Sequence, residues 1–411
     1  MPKKIIILTT GQPSTNPRMV KEYLTLKSAG FQVKVYYSYW QGWATHADSL
    51  MFNKNKLDKN DFTLVGGSPF KNKWLYNATR VYQKVNKVIY KKTGLKAIAS
   101  FSRTTSLLVN AAINEQADLY IAHNAGALPA AVEGASKYHS KAGFDAEDFH
   151  RGEYKDSNID ACKQLVKIEN KYLPHCDYIT TASPLISLAY KELYPQLEFT
   201  TINNVFSKSF LQVYKVGTKD IITLFWFSQT IGPDRGLETV VKALNEIQGN
   251  CRSELYIMGN VAHNFDQKLL SFANNFRIHF LPPVPPDQIF EIASGYDIGL
   301  SIEMPDFKNR DLCLTNKIFT YLLAGNCIIF SNTKAQIDFC NTYPNVGFLY
   351  DSGSYTNLAD LVKDLCMNRD KLENAKRKSL QLANETLNWE IEQVKFLQIV
   401  NYVISNYSLY K

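Results

Sequence analysis

Short apolar runs alternate with amphipathic helical stretches along almost the whole chain, and this alternation constrains the fold more than any other feature. The predicted strands are Ile5–Thr9, Gln32–Tyr37, Leu119–Ala122, Tyr178–Thr181, Ile221–Phe227, Glu254–Met258, Ile278–Leu281, Ile298–Ser301 and Cys327–Phe330. Helical patterns lie between them, for example Arg18–Ala29, Leu107–Glu115, Asp160–Leu173, Gly236–Glu246, Asp266–Asn274, Pro286–Gly295 and Asn316–Ala324, and a last one covers Leu387–Leu409. Such a pattern predicts an α/β protein whose parallel sheets are covered by helices.

The chain is too long for one ordinary hydrophobic core. Its 411 residues predict two domains, and the strand–helix pattern restarts after Thr201–Val216, which places the boundary near residues 205–218. We therefore predict an N-terminal domain over 1–210 and a C-terminal domain over 211–389. Open α/β sheets bind ligands at the carboxyl ends of their strands, so two doubly wound domains predict a ligand cleft between those ends.

The cysteine and hydropathy patterns predict the compartment. The chain has seven cysteines with no CxxC pair, which predicts free thiols in a reducing cytoplasm. No Cys/His cluster has the spacing of metal ligands, so no metal is expected. No apolar run approaches the length of a transmembrane helix.

The net charge of +8 is unevenly distributed, because no acidic residue lies between Asp61 and Glu115. Basic residues in this gap, from Lys71 to Arg103, alternate with aromatic ones such as Trp74. Residues 71–103 are therefore predicted to contact an anionic membrane surface, and a solvated helical face remains an alternative. Nucleic acid is not an expected partner, because no DNA- or RNA-binding motif accompanies the charge.

Two loops of the first half carry candidate binding residues. Between the first strand and the first helix, Gly11 permits close approach of a ligand, and Asn16 can cap a helix that has Pro17 at its first position. A generic strand–helix turn is the alternative. His123 follows a predicted strand and is expected to face the same cleft. The acidic run 144–153, which includes Asp148 and His150, is either a metal or acid/base cluster or a hydrogen-bonded loop.

Two further loops lie in the second half. The loop 227–238 contains Gly232 and Arg235, which can present backbone donors and a guanidinium to a diphosphate. The alternative is that Arg235 pairs with Glu238 or Asp234 at the surface. The long polar connection 303–311 brings Glu303 and Arg310 towards the helix that follows it.

That helix, Asn316–Ala324, begins with an unusual charge. Thr315 is a good N-cap and Gly325 a good C-terminal stop. Lys317 lies in the first turn, where the helix dipole disfavours a cation by roughly 0.3–1 kcal/mol. A bound anion would reverse that preference, and the alternative is that Lys317 points into water.

Four segments together resemble the family 4 retaining glycosyltransferases of GT-B fold, of the bacterial glycan-biosynthesis type, over essentially the whole chain. These segments are Ser14–Arg18, Asp145–His150, Ser228–Gly232 with Arg235–Glu238, and Thr315–Lys317 with Tyr321–Gly325. The resemblance implies two Rossmann-like domains facing across a cleft, with a C-terminal helix at about 390–411 crossing back to the N-terminal domain. It also implies transfer of a sugar from a nucleotide-sugar donor to a glycan or lipid-linked acceptor, with retention and with no metal or cofactor.

The resemblance also assigns roles to residues of this chain. It implies that Arg235 contacts phosphate, that the amides near Leu314, Thr315 and Asn316 hold the diphosphate, and that His123 lies near the donor sugar. Together with the features of the loops and the helix, this leads us to predict His123, Arg235 and Lys317 as catalytic residues. Further donor-binding residues are predicted to be Gly11, Gln229, Gly232, Glu303, Arg310 and Thr320, and acceptor-binding residues Asn16, Asp148 and His150. Many members carry two glutamates where this chain has Leu312 and Thr320, and a second basic residue where it has Gln229 and Thr230.

These departures leave the chemistry of the site open. Our hypothesis is that Glu303 or Asp311, together with Arg310, supplies the missing groups. The alternatives to glycosyl transfer are a sugar-nucleotide epimerase of the same fold and a catalytically weak nucleotide-binding subunit.

Overall fold

The structure is a computed structural model that describes residues 2–157, 159–217, 221–247, 249, 251–274 and 276–405. The chain forms two compact units, the first comprising the residues up to Ile202 and those from Gln393 onward, the second comprising Asn203–Glu392. Residues 406–411 of the predicted C-terminal helix and Thr218 of the predicted boundary segment lie outside the described residues. Within the described part, no helix is both long enough and apolar enough to cross a bilayer.

The first unit is built on a parallel sheet whose described strands follow the order β3-β2-β1-β4-β5-β6-β7. The strands are β1 (Lys4–Thr9), β2 (Gln32–Ser38), β3 (Phe62–Val65), β4 (Leu119–His123), β5 (Lys141–Ala146), β6 (Tyr178–Thr181) and β7 (Phe199–Thr201). The apolar run Ile5–Leu8 is fully buried because β1 pairs with β2 on one side and with β4 on the other. The prediction of a loop over 144–153 is wrong at its start, since Phe144–Ala146 belong to β5.

Helices cover both faces of this sheet, as parallel pairing requires. They are α1 (Pro17–Ser28), α2 (Gly42–Lys54), α3 (Lys73–Thr93), α4 (Ala97–Phe101), α5 (Thr105–Ile113), α6 (Leu128–Tyr138), α7 (Asp160–Tyr172) and α8 (Pro184–Leu193). The predicted start of α1 is confirmed: the Asn16 side chain accepts a 2.9 Å hydrogen bond from the Met19 amide, and Pro17 opens the helix.

The second unit contains another parallel sheet, with the described strands in the order β10-β9-β8-β11-β12-β13. The strands are β8 (Ile222–Ile231), β9 (Ser253–Val261), β10 (Arg277–Leu281), β11 (Ile298–Ser301), β12 (Cys327–Ser331) and β13 (Gly347–Tyr350). Its helices are α9 (Leu237–Glu246), α10 (Phe265–Phe272), α11 (Ile289–Ala293), α12 (Lys308–Leu312), α13 (Asn316–Ala324), α14 (Lys334–Thr342), α15 (Tyr355–Met367) and α16 (Arg369–Glu385). The last helix, α17 (Trp389–Ser405), begins in this unit and continues into the first.

Two predicted loops of the second unit are partly regular structure. Strand β8 continues past an irregularity between Phe227 and Thr230 and pairs with β9 as far as Ile231, so Gln229 is an exposed strand residue rather than a loop residue. The connection 303–311 contains the start of α12. Both predictions failed for the same reason. Pairing or packing with distant segments made these residues part of a strand or a helix, although the apolar pattern in the sequence had already ended.

The prediction that all cysteines are free thiols is wrong. Cys251 and Cys366 form a disulfide with a Cα–Cα distance of 6.1 Å, and the bond joins the start of β9 to the end of α15. The two cysteines are separated by 115 residues, so no local spacing signal could have indicated the pairing. The cytoplasmic location, which was inferred from free thiols, stays a prediction.

Candidate functional site

The order of strands in the second sheet reverses between β8 and β11, and the candidate anion site lies at this reversal. The segments that follow the two strands are close together at the carboxyl edge of the sheet. Gly236, at the start of α9, has φ +79°, and a Cβ placed on it would lie 3.0 Å from the carbonyl oxygen of Ile302. A glycine is therefore required here, both for its backbone conformation and for its closeness to the segment after β11.

Lys317, in the first turn of α13, is paired with a carboxylate. Its Nζ donates a hydrogen bond to Glu303 Oε1 at 2.6 Å, and it lies 5.7 Å from the centre of the Trp226 ring. Burial raises the pKa of Glu303, but Lys317, Arg310 and Arg235 outweigh burial and lower that pKa below its ordinary value. The alternative that Lys317 points into water is therefore wrong, and the first-turn cation is balanced by a protein carboxylate.

The N-terminus of α13 presents backbone donors. Thr315 occupies the predicted N-cap position with φ −76° and ψ 152°, but its side chain makes no capping bond, which corrects the sequence prediction. Its Oγ1 is buried without a hydrogen-bond partner in the described part of the chain. The backbone N–H groups of 314–317 likewise make no hydrogen bond to any described residue. Unpaired donors at the positive end of a helix form a favourable place for an anion. The predicted stop at Gly325, with φ +74°, is confirmed.

Arg235 adds a second cation near this place. Its half-buried side chain makes no hydrogen bond or ion pair with the residues that the structure describes. Glu238 pairs instead with Lys268 at 3.1 Å, so the alternative that Arg235 is held by a surface carboxylate is wrong. The guanidinium is therefore available to a ligand. Burial raises the pKa of Glu303, and the charge of Arg235 is one of those that outweigh burial and lower that pKa.

The remaining residues expected to bind the donor have different surroundings. Arg310 pairs with Asp306 at 3.1 Å and stacks on the Phe307 ring at 4.5 Å. Asp311 accepts a hydrogen bond from the Lys334 amide and pairs with the Lys334 side chain. Of the two carboxylates in our hypothesis, Glu303 is therefore the one beside Lys317.

Two positions where the resembling family has glutamates carry no charge in this chain and are inaccessible. Leu312 is buried, and the buried Thr320 hydroxyl donates to the Asn316 carbonyl at 3.0 Å. Thr320 thus satisfies its hydroxyl within the helix. Gly232 follows β8 and is buried. Gln229 is exposed, and its backbone carbonyl accepts a hydrogen bond from the Asn260 side chain at 3.2 Å. The structure does not bring Gln229 or Thr320 into the group formed by Glu303, Lys317 and Arg235.

The first sheet also reverses its strand order, between β1 and β4. Side chains from the two strand ends hydrogen-bond to each other there: Thr10 Oγ1 donates to Asn124 Oδ1 at 2.6 Å, and Asn124 Nδ2 donates to Thr9 Oγ1 at 3.1 Å. Asn124 has φ +63°, a conformation that asparagine tolerates better than most residues. This network shapes one end of a cavity.

The cavity has a volume of about 710 Å³ and opens beside the strand ends of the first unit. It brings together four of the predicted binding residues: Gly11, Asn16, Asp148 and His150. Sequence reasoning had placed Gly11 with the donor, whereas the structure places it beside the residues predicted for the acceptor. The wall also includes Tyr39, Trp40 and Tyr154, which the sequence did not indicate. Further lining residues come from segments that the sequence did single out, namely Asn124 beside His123, Glu147 and Glu153 of the acidic run, and Tyr76, Arg80 and Arg103 of segment 71–103.

Two of the groups in the wall whose pKa values are shifted are His150 and Glu147. Burial lowers the pKa of His150, but Glu153, whose Oε1 lies 2.7 Å from His150 Nδ1, more than compensates and the pKa rises to about 9. Burial, Asp148 and Asp145 together raise the pKa of Glu147 to about 7. The cavity therefore combines a cationic imidazole with a carboxyl group that titrates near neutral pH. Glu147 belongs to the acidic run 144–153, for which the sequence left a metal or acid/base cluster and a hydrogen-bonded loop as alternatives.

His123 does not line the cavity, because it lies in a buried ionic cluster behind the cavity wall. Its Nε2 is 3.0 Å from Glu22 Oε2 and its Nδ1 is 3.3 Å from Asp145 Oδ2, while Arg18 Nε donates to Asp145 at 2.6 Å. Burial lowers the pKa of His123, but Glu22 and Asp145 raise it to about 10. Glu22, His123 and Asp145 have the spacing of metal ligands. A metal at this place would have to displace the proton of His123 and to compete with Arg18 for Asp145.

Comparison with known proteins identifies the fold. No protein-family model matches the chain, and no curated protein matches its sequence. Solved structures do match: HepE from Anabaena in complex with UDP (TM-score 0.70, 12% identity, 97% of this chain and 100% of that chain) and sucrose-phosphate synthase from Thermosynechococcus elongatus (0.68, 11%, 98% and 99%). A glycosyltransferase from Rickettsia africae matches similarly (0.67, 14%, 98% and 99%). The predicted GT-B fold class, with two parallel-sheet α/β domains, is confirmed.

Proposed function

We propose that this protein is a glycosyltransferase that transfers a sugar from a nucleotide-sugar donor, with the diphosphate held at the N-terminus of α13. One observation carries the proposal: the amides of 314–317 are unpaired within the described chain, and Lys317 and Arg235 accompany them. Backbone donors at a helix start and two cations are complementary to a diphosphate. Structures of HepE with UDP and with UDP-glucose support a nucleotide sugar as the first donor to test.

The proposed chemistry follows from the charge that develops on the leaving group. Breaking the bond between the sugar and the phosphate puts negative charge on the diphosphate, and fixed donors at that place stabilise the transition state more than the ground state. Removing one such donor typically lowers kcat by a factor of about 10²–10³. We propose that Lys317, Arg235 and the helix amides do this without a metal. The acceptor oxygen then bonds to the sugar carbon on the face that the diphosphate leaves and gives its proton to the leaving phosphate, so that the configuration is retained.

Glu303 and Arg310 complete the proposed donor site. The lowered pKa of Glu303, set by Lys317, Arg310 and Arg235 against the effect of burial, keeps its carboxylate ionised at neutral pH. An ionised carboxylate accepts hydrogen bonds from sugar or ribose hydroxyls. In this proposal Glu303 takes over the role of the glutamates that Leu312 and Thr320 replace. His123, held by Glu22 and Asp145, acts as a positioning residue for the strand end that carries Asn124.

The acceptor is proposed to bind in the cavity of the first unit. The carboxylates Asp148 and Glu153 can accept hydrogen bonds from sugar hydroxyls, and the rings of Trp40 and Tyr76 can stack on sugar faces. A glycan or lipid-linked acceptor of polysaccharide biosynthesis fits this lining. A lipid-linked acceptor would lie at the inner face of the membrane, and segment 71–103 is the part proposed to contact that surface.

The test is a thermal-shift panel of UDP, GDP, ADP and TDP with their sugars. A nucleotide present at a hundred times its Kd stabilises the protein by about 2.7 kcal/mol, which is a measurable shift. We expect one nucleotide series to stabilise the wild-type protein and the shift to be lost in Lys317→Met. The absence of a shift with every nucleotide would contradict the proposal. Release of a sugar product that needs an added acceptor separates a transferase from an epimerase, which would turn over the nucleotide sugar alone.

A further inference from the structure

Helix α3 differs from an ordinary surface helix, because polar side chains on its inner face bond to the rest of the first unit while a row of apolar side chains on its outer face is exposed. The buried residues are Thr79, Asn86 and Tyr90. Arg103 donates to Thr79 Oγ1 at 3.0 Å, and Gln83 donates to the carbonyl of Phe101, also at 3.0 Å. These bonds hold the helix against the first unit by its polar side. A helix that needs only to cover a core shows the opposite arrangement.

The outer face carries a continuous apolar stripe. Trp74 is 78% exposed, and Val81, Val85 and Val88 are each more than half exposed. Their spacing of seven, four and three residues places them on one side of an α-helix, and the partly exposed Ala78 lies between Trp74 and Val81. The stripe is about 20 Å long at 1.5 Å per residue. An apolar surface of this length on a charged protein indicates an interaction site.

A row of cations runs beside the stripe. Lys73, Lys84, Lys87 and Lys91 are all exposed, and by helical spacing they lie on the same flank of the stripe. No acidic residue occurs between Asp61 and Glu115, so no neighbouring carboxylate in this stretch of sequence neutralises the row. On the other flank, Tyr82 borders a cavity of about 460 Å³ whose charged lining residues are the three lysines Lys96, Lys167 and Lys171 and one carboxylate, Glu133. The apolar stripe is therefore flanked by positive charge on both sides.

We propose that α3 lies in the plane of an anionic lipid bilayer, with the Trp74–Val88 stripe inserted among the acyl chains and the flanking lysines at the headgroup phosphates. Tryptophan is favoured at this depth, and lysine can bury its methylene stem while its ammonium reaches the headgroups. A second copy of the chain is a poorer partner, because a two-fold contact through this face would bring like charges together. Nucleic acid would leave the valines without a partner. The inference does not depend on the proposed reaction.

The experiment is cosedimentation of the full chain with vesicles of phosphatidylcholine alone or of phosphatidylcholine with phosphatidylglycerol. The variant Val81→Ser/Val85→Ser/Val88→Ser should bind the anionic vesicles about tenfold more weakly for each valine that inserts fully. The variant Lys84→Gln/Lys87→Gln/Lys91→Gln should lose about fivefold per lysine, and added salt should weaken wild-type binding. Matched controls are Leu188→Ser, which alters an exposed apolar residue of α8, and Lys59→Gln/Lys137→Gln/Lys242→Gln, which alters three exposed lysines outside α3.

Fluorescence gives a readout that does not depend on those triple variants. The wild-type emission should shift to shorter wavelength on adding anionic vesicles, and the conservative variant Trp74→Phe should lose most of that shift although four other tryptophans remain of the five. The proposal is overturned if wild-type protein does not bind anionic vesicles, or if the valine variant binds them as well as wild type. It is also overturned if light scattering shows a dimer that the valine variant converts to monomer, which would identify the stripe as an interface between copies.

Discussion

The ammonium of Lys317 lies 2.6 Å from a carboxylate oxygen of Glu303, at the end of α13 where the helix dipole is positive. Both side chains are largely buried, so the pair is shielded from solvent. The carboxylate compensates the unfavourable position of the lysine and fixes its direction. An ammonium has three donors, so one bond to Glu303 leaves others for a phosphate oxygen.

Breaking this pair should destabilise the fold. Lys317→Met leaves the Glu303 carboxylate without its closest counter-charge, and we expect a loss of about 2 kcal/mol in the free energy of unfolding. The double variant Lys317→Met/Glu303→Gln should recover part of the loss, as measured by urea denaturation of the wild type and of both variants. The matched control is Lys334→Met, whose pair with Asp311 involves a lysine side chain that is 72% exposed, and which should change stability by less than about 0.5 kcal/mol. Equal losses in the two lysine variants would show that burial does not strengthen the Lys317 pair.

Arg235 should matter for binding and hardly at all for stability. Because its guanidinium has no partner among the described residues, Arg235→Ala should leave the free energy of unfolding within about 0.5 kcal/mol of wild type. The affinity of Arg235→Ala for the nucleoside diphosphate should be at least tenfold lower than that of the wild type. The affinity of Arg235→Lys should lie between those of Arg235→Ala and the wild type, because an ammonium cannot contact a phosphate in two places. Calorimetric titration measures the affinities of Arg235→Ala and Arg235→Lys. The control is Arg252→Ala, which removes an exposed arginine of the same unit. Unchanged affinity in Arg235→Ala would remove this residue from the proposed site.

Arg310 and Asp311 are adjacent in sequence and should behave differently. Arg310→Ala should weaken nucleotide binding and turnover by a few-fold. Burial raises the pKa of Glu303, and the charge of Arg310 helps Lys317 to overcome that effect and to lower the pKa. Asp311→Asn should leave both unchanged, because Asp311 is bonded to Lys334 instead. If Arg310→Ala changes neither affinity nor turnover, Arg310 does not replace any of the groups, two glutamates and a second basic residue, that this chain lacks relative to the family it resembles.

Local signals in the sequence predicted much of the fold. The limits of β6 and β11 match the prediction residue for residue, because each strand is a short apolar run with clear ends. The cap at Asn16 and the stop at Gly325 were predicted because each depends on one residue and its immediate neighbours. Strands β3, β5, β7 and β13 were missed. Of these, β3 and β7 have only four and three residues and carry no continuous apolar pattern.

The pairing of distant charges could not be predicted. Lys317 was recognised as misplaced, but its partner Glu303 lies fourteen positions earlier in a segment with several other charges. His123 was predicted to face the cleft because it ends a strand, yet Glu22 of α1 and Asp145 of β5 enclose it. Sequence patterns report which residue ends a strand, whereas the charges packed against it depend on how separate elements pack together.

The disulfide should contribute strongly to stability. In the chain-entropy model, a bond that closes a loop of 115 residues stabilises by about 5 kcal/mol, so Cys251→Ser should lower the free energy of unfolding by that order. A reductant should lower the Tm of wild type and leave that of Cys251→Ser unchanged, which separates loss of the bond from loss of packing. Thiol titration of unfolded wild-type protein should find the five free cysteines before reduction and all seven after it. Seven thiols without reductant would contradict the bond.

The buried cluster around His123 should make stability depend on pH in a defined direction. Burial lowers the pKa of His123, but Glu22 and Asp145 outweigh burial and raise that pKa from 6.5 to about 10. The folded protein therefore keeps a proton that the unfolded chain releases above about pH 6.5. The stabilisation is complete below pH 6.5 and is lost as the pH rises towards 10. Asp145 acts in the opposite range: burial raises its pKa, but Arg18 and His123 lower it well below 3.8, so its contribution is lost only in acid.

The variant His123→Gln isolates this effect. Near pH 6 it should be less stable than wild type by about 3 kcal/mol, because the Glu22 and Asp145 carboxylates lose a buried cation, and the difference should shrink steadily as the pH approaches 10. Urea denaturation at a series of pH values measures the difference, with the exposed His175→Gln as the control that should show little difference at any pH. A difference between wild type and His123→Gln that stays constant with pH, or that grows above pH 8, would mean that the imidazole is not held protonated between the two carboxylates.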